Sequence, residues 1–262
     1  MNKRTQGHIY RAQTLRLLAH VGYASTRQVA RAIWRECDES SRKMAGRTLR
    51  WLLENGFIVT RRANDSINGE QLAAVTAAGA TWLAEHDEPL PCGKAHARDW
   101  LRHAHSHRTA CNSVYAAMCR LISEPGVWSE LEVRAGLAPV CEFAYTFDDT
   151  QTVKVPDLVA ENVSGLVWVE VENTWRSEKD LLKLVACLRA MFRTPERIVS
   201  VHFVITAPGA KTIGARLRRA LTHGPTSGWP RQIKELDAQI LAQHIKVSKL
   251  DPETLTLAPV AF

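Results

Sequence analysis

Two short segments place acid on stretches that are otherwise apolar and β-branched. They are Val155-Pro156-Asp157-Leu158-Val159 and Trp168-Val169-Glu170-Val171-Glu172. A carboxylate inside a strand is costly, because burying it unpaired costs several kcal/mol. Two such segments in a row, joined by a turn over residues 162–165, bring Asp157 and Glu170 to one end of a sheet. Converging carboxylates repel one another until a cation joins them, and Mg²⁺ or Mn²⁺ suits oxygen ligands. Such an ion polarises a phosphate and lowers the pKa of bound water. A second reading of Glu170-Val171-Glu172 is plain surface alternation, with both glutamates on a solvated face and Val169 and Val171 inward.

The elements that must position these acids are legible around them. Strands are expected over 128–134, 141–147, 152–160 and 166–172, with a hairpin signal at Asp148-Asp149. A helix follows over 177–192, with Leu181, Leu184, Val185 and Leu188 on its apolar face. Residues 198–206 read as a buried strand, 210–221 as a basic helix and 231–244 as one more helix. Upstream, 98–123 reads as a long helix. It carries His103, His105 and His107, which are the spacing of a metal clamp only on a strand. On a helix residues two apart point to opposite sides, so only His103 and His107 share a face, and the expectation is solvated or interfacial histidines.

Charge divides the chain unevenly. Residues 1–62 hold 13 Lys/Arg against 4 Asp/Glu, whereas the remaining 200 hold 21 against 23. A basic module on a nearly neutral body points to a polyanionic partner. No run approaches the ~18 apolar residues of a membrane span. The first residues lack an apolar signal region, so a cytoplasmic protein is expected. The six cysteines form no C-x-x-C pair, which argues against a zinc ribbon and for reduced thiols.

The basic module reads as helices over 9–19, 26–34 and 41–55, strands over 57–62 and 71–76 around a polar turn at 64–69, and a helix over 77–86. Ser25 is the expected cap of the second helix, and Asn55-Gly56 closes the third. Leu49, Leu52 and Leu53 are expected in the core, with Arg42, Lys43, Arg47 and Arg50 on the other side. The strings LRWLLENGFIVTRR and AVTAAGATWLAEH resemble the joins around the wing of a winged helix-turn-helix. The resemblance covers residues 9–86. It implies double-stranded DNA as partner, with the third helix in the major groove and Arg61 and Arg62 against the backbone.

The second half, a helix, several strands, a helix and a strand, resembles the PD-(D/E)XK nuclease core. The resulting expectation is an α/β (α+β) protein. A winged helix-turn-helix fills residues 1–88, a linker 89–97, and a PD-(D/E)XK-like mixed sheet flanked by helices 98–262. That resemblance implies Asp157 and Glu170 as metal ligands, with a lysine two residues after the glutamate. Here Glu172 stands in that place, as a further ligand or as a mark of a degenerate site. The ammonium is then expected from Lys179 or Lys183, and Glu130 as the upstream acidic ligand, with Glu132 and Glu142 as alternatives.

Taken with HRTACNSVYAAM, SELEV and VEVENTWRSEKDLLKL, the chain resembles the replication-relaxation family of plasmids and conjugative elements, related to the MOBC mobilization relaxases. The resemblance implies a metal-dependent endonuclease that nicks or processes an origin site, alongside other mobilization or conjugation proteins. The alternative is a non-catalytic regulator or accessory factor. Tyr10, Tyr23, Tyr115 and Tyr145 stand in no obvious nucleophile context, so water or a metal-bound nucleophile is expected rather than a covalent tyrosyl link. A palindromic site would demand a homodimer, although no heptad seam runs through the sequence.

Overall fold

Side-chain caps set the first elements. In the computed structural model, which describes residues 3–62, 70–86, 101–102, 104–119, 126–174, 176–193, 198–206, 210–223 and 243–260, helix α1 (Lys3–Val21) leads into strand β1 (Ala24–Ser25). Ser25 then caps α2 (Thr26–Trp34) in a reciprocal box with Gln28. Asp38 caps α3 (Glu39–Glu54), its carboxylate accepting from the Ser41 N–H at 2.7 Å. Ser41, Ala45, Thr48 and Leu52 make the inner face of α3. Leu53 is 42% exposed rather than in the core, because it falls one residue past that stripe. Gly56, at φ +72°, lets Phe57 N–H reach back to Leu52 O and end the helix.

Strands β2 (Ile58–Arg62) and β3 (Gln71–Val75) pair antiparallel, and β1 adds to the far edge of β3. Helix α4 (Ala77–His86) returns so close that a Cβ on Gly79 would sit 2.1 Å from Phe57 O. The expected turn at 64–69 and linker at 89–97 lie outside the described residues.

The expected long helix is a shorter one, α5 (Ser106–Met118). His105 adopts extended backbone and caps it, its ring nitrogen accepting from Arg108 N–H, so the helix cannot run back through it. His103, residues 98–100 and 120–123 lie outside the described residues. The strand expected over 128–134 is also corrected. Strand β4 (Val127–Trp128) stops at Ser129, which forms a capping box with Glu132 and starts the short helix α6 (Glu130–Arg134).

Next comes a separate hairpin, β5 (Phe143–Phe147) and β6 (Thr150–Lys154), turned by Asp148 and Asp149 at φ +48° and +58°. The single strand expected over 152–160 is two. Pro156 has no N–H for a ladder, so β6 ends at Lys154 and β7 (Leu158–Asn162) begins in another sheet. The expected turn follows, with Asn162 Oδ1 accepting from the N–H groups of Ser164 and Gly165. Strand β8 (Gly165–Glu172), α7 (Glu178–Met191), β9 (Ile198–Ile205), α8 (Ala210–His223), β10 (Ile245–Leu250) and β11 (Leu257–Pro259) complete the described elements. Residues 231–242 of the last expected helix are outside them.

The main sheet runs β11-β10-β9-β8-β7-β4. Strands β8, β9 and β10 are parallel, and the outer pairs are antiparallel. Mixed α/β structure is therefore what the chain forms. Strand β8 is covered on both faces, as central strands of such sheets are. Val167, Val169 and Val171 join a core with Val114 and Tyr115 of α5 that continues into Leu15, Leu18 and Val29 of the first helices. Trp168 joins the opposite core with Leu181, Leu184 and Leu188 of α7 and Phe203 of β9.

A polar seam accompanies the shared core. Gln28 Nε2 donates to Thr109 O (3.0 Å) and Ser113 Oγ (2.8 Å), and Asn112 Nδ2 donates to Tyr23 O (2.8 Å). Among the described residues no helix is long and apolar enough to cross a membrane.

Candidate functional site

Asp157 stands one residue before β7, where it is tied to β8 twice. Its N–H donates to Val169 O (3.1 Å), and its Oδ2 accepts from Val171 N–H (2.7 Å). On its other side Oδ1 meets His107 Nε2 of α5 at 2.9 Å. The main-chain pairing of β7 and β8 therefore aims the carboxylate off the end of the sheet, toward the first turn of α5.

Glu170 and Glu172 point the same way from β8, as period two requires. The surface-alternation reading fails for them: they are 1% and 3% exposed. Glu170 Oε1 accepts from Trp168 Nε1–H at 2.7 Å, while Oε2 faces Lys154 Nζ at 2.8 Å and Arg176 Nη2 at 3.0 Å. Glu172 takes Arg176 Nε on both oxygens, at 2.7 and 2.8 Å. The crowding of acids is thus offset within the protein by one ammonium and one guanidinium.

Electrostatics follow this wiring. Burial alone would raise the Asp157 carboxyl, but the hydrogen bond and charge of His107, the Val171 N–H and Lys154 outweigh it and hold it below the usual range. The Asp157 hydrogen bond raises His107 against the opposing effect of burial. Full burial raises Glu170, with Lys154 and Arg176 pulling the other way and Asp157 adding to the rise. Burial and the nearby carboxylates push the Cys111 thiol well up.

The sequence-derived acids divide into those gathered and those not. Asp157 and Glu170 share the centre, and Glu172 borders it through Arg176. Glu130 does not join it as an open ligand: its two oxygens face Arg108 Nε (3.3 Å) and Arg134 Nε (2.8 Å). Glu132 is held by His20 at 2.7 Å, and Glu142 is exposed. The ammonium beside the acids belongs to Lys154, because the break at Pro156 folds the end of β6 back over β8. Lys179 lies exposed and Lys183 half-buried along α7, and among the described residues neither is paired with these acids.

Lys154, Arg176, His107 and Cys111 were missed from sequence. Lys154 lies three residues before Asp157, across the proline, and Arg176 lies four after Glu172. Both spacings were visible signals. His107 and Cys111 are four apart on α5, and their side chains with Asp157 bring three ligand atoms within 4.8 Å of one another. The tyrosines offer no open nucleophile: Tyr23, Tyr115 and Tyr145 are buried, and Tyr10 is half-buried. A cavity of about 840 Å³ opens elsewhere, between α1, α2 and the sheet, lined by Leu17, Ile33, Tyr115 and His202 among others. It shares no residue with the acid centre.

The basic residues of the first unit stand outward. Lys43, Arg47 and Arg50 form one exposed row on α3, with Lys43 paired to Glu39 at 2.6 Å. Arg42 is half-buried, its Nε donating to Asp38 O. Arg61 and Arg62 are exposed at the end of β2. No protein-family model, curated protein or solved structure matches the chain.

Proposed function

We propose that the chain is a DNA-processing protein of the replication-relaxation kind. A winged helix-turn-helix reads duplex DNA of a plasmid or conjugative element, and a PD-(D/E)XK-like sheet nicks it. The observation that carries this reading is that Asp157, bonded to the main chain of Val169 and Val171, stands beside Glu170, whose carboxylate Lys154 pairs at 2.8 Å. The row Lys43, Arg47 and Arg50 supports the binding half, since a helix with one exposed cationic face suits a major groove lined by phosphates.

The donor set fits a divalent cation. Mg²⁺ and its relatives keep several waters and need only one or two carboxylates beside substrate phosphate. Asp157 is one, and Glu170 becomes the second only on releasing Lys154 or Arg176 from Oε2. When bound, the ion supplies phosphate polarisation and a more acidic water. The protein's own groups do the rest. His107 and the Val171 N–H hold Asp157 in its outward rotamer. Lys154, whose side chain is partly open to solvent, offers positive charge to a phosphate oxygen. Arg176 holds both oxygens of Glu172 and shares Glu170 Oε2 with Lys154, so that neither carboxylate swings away.

A second reading draws on that same wiring. Both oxygens of Glu170 and of Glu172 are already engaged by protein donors, which suits a degenerate site in a DNA-binding regulator or accessory factor. One experiment separates the two. Supercoiled plasmid carrying the element's own origin region is incubated with the protein and Mg²⁺ or Mn²⁺. Nicking that disappears in Asp157→Ala and Glu170→Ala while gel-shift affinity persists supports cleavage. Nicking unchanged in both variants overturns the site assignment. DNA binding without nicking and without calorimetric metal binding selects the regulator.

A further inference from the structure

We infer that His107, Cys111 and Asp157 form a three-ligand site for a borderline divalent transition ion of the zinc class. The site shares Asp157 with the cleavage centre proposed above but does not depend on cleavage. It adds two ligands from a different element, and with them a different metal preference.

The geometry is that of a helix-borne pair closed by a residue from a strand end. His107 and Cys111 sit one turn apart on the same face of α5, the spacing by which helical histidine pairs grip zinc. His107 Nε2 lies 3.6 Å from Cys111 Sγ and 2.9 Å from Asp157 Oδ1, and all three donors fall within 4.8 Å of one another. Zinc-to-sulfur and zinc-to-nitrogen bond lengths set tetrahedral donors roughly 3.3–3.7 Å apart. The His107–Cys111 spacing already meets this, and the His107–Asp157 pair need open by only roughly 0.5 Å.

The surroundings suit the role. His107 Nδ1 faces Asn173 Oδ1 at 3.4 Å, the kind of outer partner that orients a ligating imidazole and directs its other nitrogen to the metal. Asp157 is oriented by the Val171 N–H. The His107 side chain is 34% exposed and that of Asp157 17%, whereas Cys111 is 1% exposed, so the thiol forms the floor and the imidazole edge the entrance. Three protein ligands leave a fourth position for water or a phosphate oxygen, as in catalytic rather than structural zinc sites. Loading replaces three metal-bound waters with a metal–nitrogen bond to His107 Nε2, a metal–sulfur bond to Cys111 Sγ and a metal–oxygen bond to Asp157. The Cys111 Sγ proton leaves to solvent, and any proton on His107 Nε2 passes to Nδ1 or to solvent. A thiolate and an imidazole favour zinc, cobalt and their neighbours over magnesium.

The test uses the full chain, stripped with chelator and titrated with Co²⁺ while absorbance is followed. The expected result is a thiolate-to-cobalt charge-transfer band that saturates at one equivalent. Cys111→Ser removes that band, with circular dichroism showing the fold intact. Asn173→Ala weakens binding about 10–100-fold. His107→Ala weakens it further. Absence of the band in the wild-type chain overturns the site, and so does a band that persists in Cys111→Ser. Mg²⁺-driven nicking without a cobalt–sulfur band sinks this inference and leaves the cleavage reading standing. A cobalt–sulfur band without nicking does the reverse.

Discussion

Lys154 Nζ stands 2.8 Å from Glu170 Oε2 although the two belong to different sheets, β6 to the hairpin and β8 to the centre of the main sheet. The contact ties the hairpin to the acid centre at its most buried charge. Lys154→Met should cost about 3 kcal/mol, the lower end for breaking a buried pair, because Arg176 still faces Glu170. The double variant Lys154→Met/Glu170→Gln should cost less than Lys154→Met alone, since no charge is then stranded. Urea denaturation midpoints on the three chains decide this. Equal costs for the single and double variants would mean that the pair is not what holds the hairpin.

The His107–Asp157 pair makes stability depend on pH in a defined window. His107 is raised above its ordinary 6.5, so its contribution is complete below that value and is lost as pH rises through the folded pKa. Asp157 is lowered below its ordinary 3.8, so its contribution is complete above that value and is lost as pH falls through the folded pKa. The pair therefore contributes most between 3.8 and 6.5. Glu170, raised by burial, works against the fold as pH climbs past its ordinary 4.5. Subtracting the denaturation profile of His107→Ala from that of the wild-type chain cancels the Glu170 contribution and should leave a hump within the window. A flat difference would refute the pairing.

Capping residues and periodicity made most of the first unit legible, because Ser25, Asp38 and Asn55-Gly56 act on their own neighbours. The errors came where a local device overrode an apolar pattern. Ser129 and Glu132 form a capping box that turns an expected strand into α6. Pro156 splits one expected strand between two sheets. The candidate site was legible in part for the same reason. Asp157 and Glu170 are placed by the β7–β8 hairpin, a local pairing that a turn signal announces. Lys154, although its nearness to Asp157 was visible, reaches the centre with His107 through tertiary packing of β6 and α5, which no periodicity reports. Burial of Glu170 and Glu172 was equally invisible, since it needs both faces of β8 covered, one by the following helix α7 and the other by α5 and the first helices, far back in the sequence.

Binding of duplex DNA by the α3 face should be strongly salt-dependent. Removing one cation that neutralises a phosphate should lower the slope of log K against log salt by about 1. Arg47→Ala and Arg50→Ala should each reduce affinity and slope in this way. Lys43→Ala should do so less, because Glu39 already neutralises part of its charge at 2.6 Å. Fluorescence anisotropy at several salt concentrations gives both quantities. Unchanged slopes for Arg47→Ala and Arg50→Ala would place the DNA on another surface.

The seam between α2 and α5 joins the first helices to the acid centre, because α5 offers Thr109, Asn112 and Ser113 to the first unit and His107 and Cys111 to the second. Asn112→Ala strands the buried Tyr23 carbonyl, and Gln28→Ala strands the groups it bonds on α5 as well as the Ser25 cap. Each substitution should cost about 1–3 kcal/mol. Since one apolar core runs through both units, the cost should appear as a shift of a single unfolding transition rather than as early melting of the first helices. Tryptophan fluorescence and far-ultraviolet circular dichroism recorded on the same denaturant series test this. Two separated transitions in the wild-type chain would show that the units are joined without being coupled. A perturbation at Arg47 could then not be felt at Asp157.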